Sequence, residues 1–129
     1  MSKSTRIILL SITVTLSALL VACATIGLAA QPTLDPRAAA GKQLFEVYCS
    51  SCHSTLPDTV IVGPSLSEIA GRAGDRVAGL DARAYLRESI LYPKDYVVEG
   101  YKDLMPGNFS QILEDEQVEA LIAYLLILK

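Results

Sequence analysis

This chain has no second histidine, and that shortage excludes more than most residues it contains. His53 stands alone in 129 residues. A structural zinc centre takes four Cys or His ligands. Outside positions 49–53 the chain offers only Cys23, which lies in an apolar N-terminal run. A thioredoxin-like dithiol belongs in a βαβ setting, and no alternating strand pattern flanks Cys49 and Cys52. A basic block is missing too. Beyond Gln31, nine Lys and Arg face fourteen Asp and Glu, a net −5, which argues against a nucleic-acid partner. That mild acidity reads as solubility. There is no internal repeat or low-complexity tract, and the length leaves room for one small domain behind a targeting segment.

Against that background, Cys49-Ser50-Ser51-Cys52-His53 carries the C-x-x-C-H spacing of covalent c-type haem attachment. Two thiols add across the haem vinyl groups and the imidazole that follows binds iron. Residues three and four apart share one face of a helix end. Cys49, Cys52 and His53 can therefore grip a flat porphyrin by its edge and its metal together.

Methionine is almost as scarce, with Met1 and Met105 only. Met105 lies in Leu104-Met105-Pro106-Gly107 and is the one thioether available for the distal side of a haem. A gap-filling core methionine is the bland alternative. Histidine and methionine together saturate the iron and raise its potential. Such a centre carries electrons and does not activate oxygen or peroxide.

The chain opens with Lys3 and Arg6, then runs uncharged and apolar for 24 residues, from Ile7 to Ala30. That layout is an export signal or a membrane anchor over residues 1–30. Leu20-Val21-Ala22-Cys23 resembles a lipoprotein cleavage box, which would make a lipidated Cys23 the mature N-terminus. The run is also long enough to span a bilayer uncleaved. Ordinary cleavage near Ala29-Ala30 is the third outcome. Residues 31–36, with Pro32 and Pro36, read as a linker, and residues 37–129 as the haem domain. A domain of that size buries a limited core unaided, and a bound haem supplies apolar interior.

The expected elements are helical. Asp35 caps a helix starting near Pro36, with Ala38, Gly41, Leu44, Phe45 and Tyr48 on one stripe. Ser65 to Gly71 is a candidate short helix. A stronger helix runs from Asp81, a good N-cap, through Tyr85, Leu86, Ile90 and Leu91, and Tyr92-Pro93 stops it. Lys94 to Phe109 reads as an irregular loop. The last helix spans Glu114 to Leu128 and turns Val118, Leu121, Ile122 and Leu125 inward. It is expected to cross the first helix near Gly41 and Phe45.

Over Asp35–Lys129 the chain resembles the class I cytochrome c family. The matching features are Gly41-x-x-x-Phe45 before the haem motif, Gly63-Pro64-Ser65-Leu66, Met105-Pro106 and Leu121-Ile122-Ala123-Tyr124-Leu125. The resemblance implies an all-α class I cytochrome c fold with crossing terminal helices around one haem c. It implies His53 as proximal and Met105 as distal iron ligand, with the Pro64 carbonyl accepting from the His53 Nδ1–H. Arg72, Arg76 and Tyr101 are weighed as propionate contacts and read as surface or packing residues. The segment Tyr96-Val97-Val98-Glu99-Gly100-Tyr101 is similar to single-haem domains attached to bacterial respiratory complexes, among them the single-haem subunit of alternative complex III.

The expected protein is an electron carrier anchored by its N-terminus on the outer face of a bacterial cytoplasmic membrane. Its partner would be a membrane redox complex: a quinol-oxidising complex, a terminal oxidase or a photosynthetic reaction centre. The rival readings are a small peroxidase-like haem enzyme and a haem-bearing sensor or structural subunit.

Overall fold

Asp35 starts the first helix as its sequence suggests. Its carboxylate accepts from the backbone N–H of Arg37 and Ala38, and Pro36, which has no N–H to satisfy, takes the first helical position. Helix α1 (Pro36–Tyr48) follows. The computed structural model describes residues 34–129, and the apolar run and Cys23 lie outside them. Those residues form a single unit. Among them no helix is long and apolar enough to cross a membrane, and the only β pairing is one bridge between His53 and Val60.

Four further α-helices complete the unit: α2 (Ile69–Arg72), α3 (Ala82–Leu91), α4 (Phe109–Ile112) and α5 (Asp115–Leu125). The candidate helix at Ser65 to Gly71 therefore forms later than expected. Glu68 sits at φ 56°, a left-handed conformation that no helix can continue through, so α2 begins after it. Asp81 caps α3 through a bond to the Ala84 N–H. Glu114 and Gln117 form a reciprocal capping box on α5. The last helix ends at Leu125, short of the expected Leu128, with Ile127 and Leu128 held by tighter turn bonds to Tyr124 and Leu125. The irregular segment gives way at Phe109 to one short helical turn, α4, which the sequence does not signal.

α1 and α5 cross at Gly41. A Cβ there would lie 1.9 Å from the Ala120 carbonyl oxygen and 2.9 Å from the Tyr124 Cβ. Only a bare backbone permits that approach. One turn along, the Phe45 and Tyr124 rings meet tilted, with centroids 5.5 Å apart. Val118, Leu121, Ile122 and Leu125 are buried as the helical pattern indicates. Tyr48 departs from its stripe. It is 38 % exposed and packs edge-on against Phe109 at the end of α1, 6.5 Å between centroids. Outside the core, Arg87 pairs with Asp115 and Glu119, and Arg83 with Glu119, tying α3 to α5. These pairs are largely solvated and add little to stability.

Candidate functional site

The haem motif is built on the end of α1. The Cys49 and Ser50 N–H groups both bond to the Phe45 carbonyl at 2.9 and 3.0 Å. The Cys49 carbonyl then accepts from Cys52 at 3.0 Å and from His53 at 2.8 Å. Those bonds continue the helix by one turn and project the two thiols and the imidazole from the same end. Cys49 and Cys52 are both half-buried. Burial first, then the neighbouring Cys52, pushes the Cys49 thiol up to about 11.

The chain next closes a loop and returns to the imidazole. The Cys52 carbonyl accepts from the Val62 N–H at 3.2 Å and the Gly63 N–H at 2.9 Å. Ser54, the one buried polar residue among the described residues, anchors both sides of this loop. Its hydroxyl accepts from Leu56 N–H at 2.9 Å and its carbonyl from Leu66 N–H at 2.7 Å. The Ser65 hydroxyl donates to the Leu56 carbonyl at 2.7 Å. This web brings the Pro64 carbonyl 2.8 Å from His53 Nδ1. The Nδ1–H tautomer donates across that distance and leaves Nε2 free to bind a metal.

Cys49, Cys52, His53, Pro64 and Met105 all line one cleft of about 230 Å³. Its remaining walls are mainly apolar, with Phe45, Leu66, Ile69, Leu86, Ile90 and Phe109 prominent. Met105 is half-buried there, in the irregular segment between α3 and α4. The sequence gives it no helical period, so only tertiary placement brings its sulfur to the same space as His53.

Arg72, Arg76 and Tyr101, weighed in the sequence as propionate contacts, also line this cleft, and Arg72 stands apart in its bonding. Its guanidinium donates to the Ser65 carbonyl, while its buried Nε has no partner among the described residues. A buried unpaired donor is costly. Nothing in the local sequence marks it, because its burial depends on the loop that α2 closes. Two thiols, one imidazole, one thioether, apolar walls and an unpaired cationic donor together suit haem: a flat apolar body with vinyl groups, iron and acid side chains.

The cytochrome c family model matches residues 38–129. No curated protein matches the chain.

Proposed function

This chain belongs to the cytochrome c family, and on that premise we propose that it is a single-haem carrier tethered at the outer face of a bacterial cytoplasmic membrane. Family membership carries covalent haem c and electron transfer in place of substrate turnover. Bound haem supplies a one-electron iron centre. Cys49 and Cys52 would hold it through thioethers, His53 and Met105 would bind its iron, and the Pro64 carbonyl would orient the imidazole. One observation supports this reading above the rest: the chain's one histidine, oriented by a carbonyl at 2.8 Å, shares a cleft with Met105. With His53 and Met105 both binding the iron, no position on it would remain for a substrate. A peroxidase-like role would need an open position and an acid–base group above the iron, and no second histidine exists to serve.

The tether is the apolar run at residues 7–30, used uncleaved or through a lipidated Cys23. Either would concentrate the domain near membrane partners. A quinol-oxidising complex is the preferred donor, with a terminal oxidase or photosynthetic reaction centre as the alternative contact. Native membranes washed in high salt and then solubilised in mild detergent test this directly. The expected result is haem-stained protein retained through the wash, released by detergent and co-migrating with a quinol-oxidising complex. Mass spectrometry of the mature N-terminus should find lipid on Cys23 or an uncleaved segment. Release into the soluble fraction, with an N-terminus near Ala29-Ala30 and no co-migrating complex, would contradict it.

A further inference from the structure

We propose that Gly63 is a positioning residue for the His53 imidazole, setting where the ring stands by leaving it room for nothing else. A Cβ built on Gly63 would lie 2.4 Å from His53 Cε1, 2.9 Å from Nδ1 and 2.9 Å from Nε2. All three contacts are on the one ring, and all are closer than non-bonded carbon contacts allow. Gly63 is not among the glycines with positive φ, which are Gly79 and Gly100. Clearance, not backbone conformation, is therefore what the position requires.

Neither side of this contact is free to yield. On the loop side, Gly63 N–H is bonded to the Cys52 carbonyl at 2.9 Å, with Val62 N–H on the same oxygen. On the ring side, His53 is held through its own N–H to Cys49 at 2.8 Å and through Nδ1 to Pro64 at 2.8 Å. The Pro64 carbonyl sets the direction in which the ring points. The Gly63 backbone limits how the ring can tilt and withdraw. A methyl group at 63 must displace the imidazole at its Cε1 edge, straining the Nδ1–Pro64 bond and shifting Nε2 from where it stands. Loss of that bond makes the imidazole a weaker donor. The inference rests on His53 as the proximal iron ligand.

The test compares holoproteins carrying Gly63→Ala and Gly71→Ala with the unaltered chain. Gly71 lies in α2, and a Cβ there meets nothing within 4 Å. Gly63→Ala should shift the iron's reduction equilibrium about tenfold, or ~59 mV for one electron. It should also change the ferric electron paramagnetic resonance anisotropy, while Gly71→Ala leaves both unchanged. Gly63→Ala indistinguishable from the unaltered chain in both readings overturns the proposal. If Gly63→Ala yields no holoprotein, the unaltered ferrous holoprotein decides. A nuclear Overhauser contact between the Gly63 Hα and His53 Hε1 protons supports the proposal, and its absence overturns it. Failure of the ligand reading shows separately, as an iron centre without nitrogen coupling from ¹⁵N-labelled His53.

Discussion

Replacing Met105 with alanine is expected to lower the midpoint potential by an amount on the order of 0.2 V, within the range that axial ligands command, and to open the sixth position. Met105 is the only thioether in residues 34–129, and no second imidazole stands ready to replace it. The ferric sulfur-to-iron charge-transfer band should disappear, and added imidazole or cyanide should bind without displacing a protein ligand. Met105→His separates coordination from packing. It should restore a six-coordinate, low-spin spectrum while leaving the potential below that of the unaltered protein, since methionine favours the reduced iron more than nitrogen does. A Met105→Ala protein with an unchanged spectrum and potential would show that the sulfur only fills space in the cleft. Met105 is half-buried, so the cavity left by truncation should itself cost less than a fully buried site would.

Gly41→Val is expected to cost about 3 kcal/mol or more, the upper end of what overpacking does, and to reduce the yield of haem-loaded protein. The first clash falls on the Ala120 carbonyl oxygen at 1.9 Å and the second on its carbon at 2.5 Å. Both are main-chain atoms inside α5 and have no rotamer to change. The helices must separate, and that pulls Phe45 away from Tyr124, two buried rings now 5.5 Å apart. Gly71→Ala is the matched control. With nothing near its added methyl, it should be neutral or gain about 0.5 kcal/mol by restricting the unfolded chain. Guanidinium unfolding of the holoproteins, followed through the haem absorbance, reads both. Equal midpoints for Gly41→Val and the unaltered chain would mean that the crossing is looser than the described backbone.

The reason these two sites differ in legibility is physical. Gly41 was visible as a glycine inside a helical pattern, a costly choice that makes sense only where something comes close. What came close was Ala120, which no local pattern could name. His53 and the two cysteines were legible because their chemistry demands neighbours in sequence. Met105 was legible only by elimination, since its segment has no period and is placed by contacts with distant residues. Glu68 defeated expectation because a charged residue in a left-handed conformation carries no propensity signal, and the start of α2 moved with it. Tyr48 followed the helical stripe in spacing but not in burial, because the stripe there reaches the mouth of the cleft and leaves the core. The packing of the Cβ-free Gly63 against His53 and the unpaired Nε of Arg72 both arise from the returning loop at residues 54–66, whose closure depends on hydroxyl and carbonyl bonds that composition does not reveal.

Covalent haem is the condition for all of this chemistry, and intact mass measured together with the visible spectrum tests it most directly. The full chain, produced in a bacterium with working cytochrome c assembly machinery, should be recovered from the membrane fraction coloured. Its mass should exceed the mature polypeptide by one haem that acid and organic solvent do not extract, and its reduced form should be low-spin. Exported protein that is colourless, or whose mass is that of the polypeptide alone, would contradict it.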